Sequence, residues 1–450
     1  MRTAAIVFLV LLSIPAGATT FNNGNPATTN NDDSCDIAAL PAATLLLPYF
    51  EVDFSAPQST ARTTLFTVVN TTQRPQIAHV TVWTDLGYPA LSFNLFLTGY
   101  DVQAINLYDI FGPRSVIGSV SGTSNTTIPG NRSLDNNQNP NFAAGATNNC
   151  AILPGVIPTF IMADLRNAFT TGFVSSCSSS RVGNTHANAI GFVTIDVNSD
   201  CTSTLPTEPR FPNEILYDNV LTGDYQWINP NPATGNYAGG NPLVHIRAIP
   251  EGGAAGVTAP TNLPYTFYEH YMPVTVPKSD RRQPLPSTFA ARFIQGGTGA
   301  FNTEFRIWRE GVTGGGSTCR DYADNNNNAM SVREMVRFDE HENPSTSGVC
   351  SFDPCFNFAI ILPNASSTST SASIFPPMST VAGDVAGWMY LNLAHLAASS
   401  HNQNWVVISM SAEGRYSVAY DALMLANGCS PAPTVSDTQS PIGPGPNINP

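Results

Sequence analysis

Leu91, Phe93, Leu95 and Leu97 alternate with Ser92, Asn94 and Thr98. A period of two sends the first set to one face of an extended chain and the second to the other, so this segment reads as a half-buried antiparallel strand. Short β-branched and aromatic runs bounded by Gly, Pro and Asn predict further strands over 45–52, 63–69, 77–84 and 103–107. The texture returns over 190–197, 214–220 and 243–249, and again over 265–276, 288–294, 303–309, 333–340, 356–362, 387–393 and 405–411. Glu413-Gly414 predicts a turn into 416–423, a hairpin with Val406, Ile408 and Met410 on one face. One segment has helical period instead: Ile161, Leu165, Ala168 and Phe169, with Pro158 at the start and Gly172 at the stop, predict a short helix near 158–171.

The fold class expected is therefore all-β, an antiparallel β-sandwich of one large or two coupled Ig-like units. Residues 35–250 form the first expected unit, with a loop and helix insertion at 112–185, and 265–429 the second. Ahead of them, residues 1–18 hold one Arg, an apolar run from Ala4 to Ile14 and then Ala16-Gly17-Ala18, the pattern of a secretory signal peptide cleaved near Ala18. Polar residues 19–34 read as a flexible lead-in and Pro-rich 430–450 as a disordered tail. A faint repeat links 60–85 with 289–310, which would make Trp83 and Trp308 counterparts.

Composition narrows the partners. A net charge of −13 without a basic cluster argues against nucleic acid and anionic membrane surfaces. Eighteen arginines accompany a single lysine, Lys278, whose Val-Pro-Lys-Ser-Asp surroundings match neither a phosphate loop nor a Ser-x-x-Lys pair. No apolar run after the signal is long enough to span a membrane. In an exported chain the eight cysteines, Cys35, Cys150, Cys177, Cys201, Cys319, Cys350, Cys355 and Cys429, read as structural disulfides, with no connectivity fixed by spacing. Pairing within 150–201 and between Cys319 and Cys350 is the local solution, a Cys35–Cys429 staple the long one.

Candidate chemistry is sparse. His79, His186, His245, His270, His341, His395 and His401 form no H-E-x-x-H. Asp339-Glu340-His341-Glu342 is the densest run of ligand-type residues, but on an extended chain its side chains alternate in direction. Asp324, Asn326 and Asn328 stand at the first, third and fifth positions of a calcium loop, although Ala329 replaces the glycine and Glu334 falls one position early. They are the one metal candidate, and no cofactor is expected. Trp83, Trp227, Trp308, Trp388 and Trp405 could build a sugar-stacking platform or fill a core. Asn70, Asn125, Asn131 and Asn364 begin N-x-S/T sequons, which mark surface loops in a glycosylating host.

Residues 43–53, 97–107, 288–294 and 410–422, among them the stretches Leu-Leu-Leu-Pro-Tyr-Phe-Glu-Val-Asp and Ala-Glu-Gly-Arg-Tyr-Ser-Val-Ala-Tyr-Asp-Ala, resemble a group of exported β-rich proteins of Gram-negative bacteria with no assigned activity. That resemblance implies export and a β-rich fold, and carries no site. The expected function is a non-catalytic surface or extracellular binding and structural protein, secreted or periplasmic, with a carbohydrate or protein ligand. A secreted hydrolase acting on polysaccharide or peptide, with its site in 112–150 or 310–350, is the first alternative. An adhesion or self-assembly subunit is the second.

Overall fold

The computed structural model describes residues 37–117, 155–199, 201–230, 237–248, 266–271, 280–297, 301–311, 331–346, 357–375, 386–394, 403–412 and 416–425, a few positions within these ranges excepted. The signal segment, the lead-in, the calcium-type run 324–328 and the Pro-rich tail lie outside the described residues. So do the sequons at Asn125 and Asn131 and every cysteine except Cys177 and Cys201.

Eighteen strands make two sandwiches. The first comprises β1 (Thr44–Val52), β2 (Thr63–Asn70), β3 (Gln76–Thr84), β4 (Pro89–Leu97), β5 (Val102–Asn106), β6 (Ala189–Asn198), β7 (Leu221–Asn229), β8 (Tyr237–Pro242) and β9 (Val244–Ile246). Five of them form sheet I in the order β9-β1-β6-β3-β4, and four form sheet II in the order β8-β7-β2-β5. The second comprises β10 (Thr288–Ile294), β11 (Phe301–Arg309), β12 (Glu334–Asp339), β13 (Pro344–Thr346), β14 (Ala365–Ser369), β15 (Ala386–Asn392), β16 (Asn404–Ala412), β17 (Tyr416–Asp421) and β18 (Leu423–Met424). Sheet III runs β18-β10-β15-β12-β13 and sheet IV β17-β16-β11-β14. Adding nine to each strand number of sheets I and II reproduces sheets III and IV, order included. All the strand pairings are antiparallel, and no sheet closes into a barrel.

The equivalence reaches single residues. Thr71 N donates to Val220 O as Glu310 N donates to Gln403 O, both at 2.9 Å, and Val197 N reaches Ala43 O at 3.0 Å as Leu393 N reaches Ser287 O at 2.9 Å. Thr64 Oγ1 bridges the N–H and carbonyl of Glu51 across the sandwich, and Thr303 Oγ1 does the same for Ile294. Asn70 therefore matches Arg309, Thr44 matches Thr288, and Asp196 matches Asn392. The repeat expected between 60–85 and 289–310 is one strand out of register: β10 takes the place of β1, and β11 that of β2. Trp308 stands where Val69 does, and the counterpart of Trp83 is Phe338.

A glycine recurs for a physical reason. A Cβ on Gly191 would lie 2.0 Å from the Trp83 carbonyl oxygen, and one on Gly387 would lie 2.1 Å from that of Phe338. Only glycine lets the neighbouring backbone approach so closely. In β6 and β15 that glycine precedes an aromatic residue, Phe192 or Trp388, which faces out of the sandwich.

Inside the first sandwich, Leu45, Leu47, Val80, Val82, Phe93, Val193 and Ile195 of sheet I bury against Phe66, Val68 and Tyr225 of sheet II. Helices α1 (Leu107–Phe111) and α2 (Thr159–Thr170) close one end, where Phe50 meets Phe111 at 5.9 Å and Phe169 at 5.8 Å. The helix expected near 158–171 is α2. The strand expected over 214–220 is reduced to a single bridge: Phe211–Glu214 is a helical turn with Pro212 in its first turn, Ile215 pairs in isolation with Asn198, and the continuous ladder begins at Leu221. The Asn219 side chain takes over the bonding role there, donating to Ala248 O and accepting from Ala248 N. Thr266–Tyr268, inside the strand expected over 265–276, is not strand either. Asn94, placed by alternation on a solvent face, is fully buried. Sheet I is covered on both faces, because sheet IV and the connector between the sandwiches lie over its second face.

Candidate functional site

The junction of the sandwiches begins as an aromatic stack. Trp83 and Phe192 lie parallel at 5.5 Å, Tyr271 of the connector meets Trp83 at 5.3 Å, and Trp308 of sheet IV meets Phe192 edge-on at 5.9 Å. Trp308, Ala365, Trp405 and Val407 complete the hydrophobic core of the first sandwich from the second. Four tryptophans of the five are thus interior groups, and Trp388 alone is exposed.

Beside this stack runs a buried polar row. Thr44, Asp196, His79 and Asn94 are cross-strand neighbours on one face of sheet I, and none of them reaches solvent. Thr44 Oγ1 donates to Asp196 Oδ1 at 2.5 Å and the Tyr268 hydroxyl to Asp196 Oδ2 at 2.7 Å. Arg282 enters from the connector, its Nε donating to Thr44 Oγ1, its Nη1 3.1 Å from Asp280 and its Nη2 3.6 Å from Asp196. Burial pushes the Asp196 carboxyl up, against the pull of Arg282 and its two hydroxyl donors. His79 Nδ1 lies 2.9 Å from Asn94 Oδ1, while Asn94 Nδ2 donates to Thr202 O, which places the ring proton on Nδ1. Burial lowers the His79 pKa to about 4, so the ring is neutral at pH 7. A row sealed on all sides fastens the connector to the sheet and has no route for a substrate.

A second carboxylate–imidazole pair lies nearer the surface. His186 Nε2 is 2.8 Å from Asp85 Oδ2, and Asp85 also accepts from Asn184 N at 3.0 Å and Asn184 Nδ2 at 2.8 Å. Among the described residues no hydroxyl is hydrogen-bonded to His186, so the pair ties 184–186 to the end of β3 rather than forming a nucleophile triad. Asp339 likewise serves its own turn, accepting from His341 N at 2.8 Å and Asn343 N at 2.9 Å. Burial alone would raise its pKa; the hydrogen bonds from Asn343 and His341 win and hold it below the usual carboxylate value. Glu340 accepts from Ala386 N instead, so the run 339–342 does not converge. Among the described residues no group of three or more His, Cys, Asp or Glu could hold a metal.

One described cleft opens to solvent between the sandwiches. It has a volume of 360 Å3 and is lined by Arg62 and Asn229 from the first sandwich and by Asn302, Glu304, Ser409, Met410, Ser411 and Ser417 from the second. β11 and β16 present Asn302, Glu304, Ser409 and Ser411 because alternation sends Phe305, Ile307, Val406 and Ile408 inward and leaves the intervening polar positions on the outer face of sheet IV. Behind them Arg306 stacks over Trp227 at 4.1 Å, pairs with Glu304 at 3.0 Å and donates to Ser409 Oγ. On the opposite wall Arg62 pairs with Glu51 at 3.3 Å, and Asn188 Nδ2 donates to Glu51 Oε1 at 2.6 Å.

The two charged residues that line this cleft are each paired, Arg62 with Glu51 and Glu304 with Arg306. The rest of the lining is hydroxyls, amides and one thioether, a set with little net field. The alternation of polar and apolar positions in β11 and β16 was visible in the sequence. The cleft was not, since it needs Arg62 and Asn229 brought across the junction. Both sequons that can be inspected turn out to be interior: Asn70 donates to the carbonyls of Arg74 and Thr98, and Asn364 is fully buried beside Gly87 and Gly311. Cys177 and Cys201, the two described cysteines, are disulfide-bonded. No helix among the described residues is long and apolar enough to cross a membrane. No family model matches the chain, and neither a curated protein nor a solved structure matches it.

Proposed function

We propose that the mature chain is an exported, non-catalytic binding and structural protein whose inter-sandwich cleft receives a neutral polyhydroxylated ligand, a carbohydrate. The observation that carries this reading is the lining of the cleft. Three serines and two asparagines face one volume whose lining charges, Arg62 and Glu304, are each paired with an opposite charge. Such a surface gains little from a charged ligand and exchanges hydrogen bonds readily with sugar hydroxyls. Glycoside hydrolysis needs two carboxyl groups in different roles, one of them an acid free of a cationic partner. Glu51 and Glu304 each hold a guanidinium instead. Export rests on the signal-like residues 1–18 and on the resemblance of the chain to exported proteins, and the cysteines would then staple the fold in an oxidising compartment.

The test is a glycan array probed with the purified mature chain, followed by calorimetric titration of a bound glycan. Ser411→Trp fills the cleft from a surface position and should abolish that binding without shifting the unfolding midpoint. Binding that survives the filled cleft, or no binding to any glycan, removes the site. Release of new reducing ends from a bound oligosaccharide removes the non-catalytic half.

A further inference from the structure

The duplicated topology carries a consequence for the outer face of sheet III. In sheet I the outward pair Trp83 and Phe192 is fully buried, because Trp308 of sheet IV and Tyr271 of the connector cover it. The counterparts in sheet III are Phe338 and Trp388. They stack at 4.4 Å with an interplanar angle of 11°, yet Trp388 is 38% exposed. Arg292 stands in the same cross-strand row, exposed, and Leu423, paired with Ala290 in the next row, is 69% exposed. A stacked aromatic pair that the chain buries in one sandwich is therefore left open in the other.

What buries the first pair is the outer face of a four-stranded sheet. Among the described residues there is one more such face, that of sheet II, where Val69 occupies the place of Trp308 and Val102 that of Ala365. Ala365 is buried in the internal junction, whereas Val102 is 58% exposed. Leu65, Val69 and Ile228 are half-buried on the same face, and Asp224 is exposed among them. Among the described residues, one molecule thus ends in an uncovered five-stranded face at one side and an uncovered four-stranded face at the other. These are the two halves of the interface it already builds between sheets I and IV, with Asp224 offered by one half and Arg292 by the other.

We infer that the partner of sheet III is sheet II of a second copy of this chain, docked as sheet IV docks on sheet I. The interface is heterologous, so each added copy presents a fresh acceptor face, and the assembly grows head to tail instead of closing as a dimer. This is independent of ligand binding in the cleft. It places self-association on sheet faces, not on unpaired strand edges.

The test uses two surface variants of the full mature chain, Val102→Asp and Trp388→Asp, each blocking one face. Sedimentation velocity of the wild type from low to high micromolar should show masses that climb past the dimer. Each variant alone should stay monomeric, and an equimolar mixture should form a dimer and stop there, since only one pair of intact faces remains. Far-ultraviolet circular dichroism checks that both variants are folded. A wild type that stays monomeric, a single variant that still assembles, or a mixture that stays monomeric overturns the inference. So does loss of glycan binding by monomeric Trp388→Asp, which would give the exposed indole to a sugar.

Discussion

The same row of residues crosses both five-stranded sheets, and the two sandwiches use it differently. In the first it reads Thr44, Asp196, His79, fully buried and crossed by Arg282; in the second it reads Thr288, Asn392, Glu334, also buried but of different chemistry. Arg309 does a related task at another point of the second sandwich, replacing Asn70 and donating from Nε to Asn404 Oδ1 and from Nη2 to the carbonyl of Leu393. Positions that the backbone demands are repeated: Gly191 and Gly387 under a carbonyl, Thr64 and Thr303 across the sandwich. Positions that answer to the next layer diverge. Topology is thus held by a few backbone constraints, and the outward faces are free to specialise into junction, cleft or open surface.

The largest way to break the comparison is Arg282→Met. It strips the buried carboxylates Asp196 and Asp280 of their cation, and an uncompensated buried charge costs about 3–5 kcal/mol. Urea unfolding should show that loss, and pairing the change with Asp196→Asn should recover part of it. An unchanged midpoint in the single variant would mean that the connector is not fastened there. Next in size is a matched pair of truncations. Phe192→Ala empties a filled site between Trp83 and Trp308 and should cost about 3–5 kcal/mol. Trp388→Ala, at the equivalent position, should cost about 1 kcal/mol in the monomer, mostly its stacking on Phe338. Equal losses would show that the second outer face is as well covered as the first.

Much of this fold was legible from alternation alone. β1 to β6, α2, β10 to β12 and the β16–β17 hairpin lie where apolar period and turn residues predict them. β7 was missed because Gly223-Asp224 carries turn chemistry within a strand whose buried face is Leu221, Gly223, Tyr225 and Trp227. The duplication was felt but misaligned, since amphipathic strands look alike and the diagnostic residues, a glycine before an outward aromatic and a threonine between sheets, are single positions. The cleft and the buried row were not legible at all. Both arise from residues on strands and connectors far apart in the chain, and an Asn such as Asn94 looks like a solvent-facing residue until a second layer covers it.

Acidity should separate the sandwiches in opposite directions, by somewhat less than the substitutions above. Burial holds His79 at about 4 in the fold, against about 6.5 in an unfolded chain. The neutral ring contributes its full stability above pH 6.5, and on the order of 3 kcal/mol is lost as the pH falls towards 4, where the unfolded chain binds the proton first. Asp421 is the reverse case. Burial raises its carboxyl to about 6, with the Trp405 N–H at 3.1 Å pulling the other way. Its contribution is fully present below about 4 and disappears as the pH rises through 6, roughly 2 kcal/mol in the second sandwich. Hydrogen exchange corrected for intrinsic rates should therefore show β3 and β6 losing protection between pH 7 and 4.5 while β16 and β17 gain it. Parallel changes in both would sink the assignment.

The smallest effect tests the shared skeleton itself. Thr303 Oγ1 holds Ile294 by bonds of 2.9 and 2.7 Å, whereas Thr64 Oγ1 reaches Glu51 at 3.3 and 3.4 Å. Either threonine can be replaced by valine with little change in shape. What is lost is the hydroxyl, and what is left behind is a pair of backbone groups beside an apolar methyl. A net hydrogen bond is worth about 1 kcal/mol and weakens with length, so Thr303→Val should cost about 1 kcal/mol or more, and Thr64→Val less. Thermal unfolding of the two variants reads the difference directly. If Thr64→Val proves the costlier, the two bridges are not the same device, and the residue-level equivalence of the sandwiches has to rest on the glycines and backbone bonds alone.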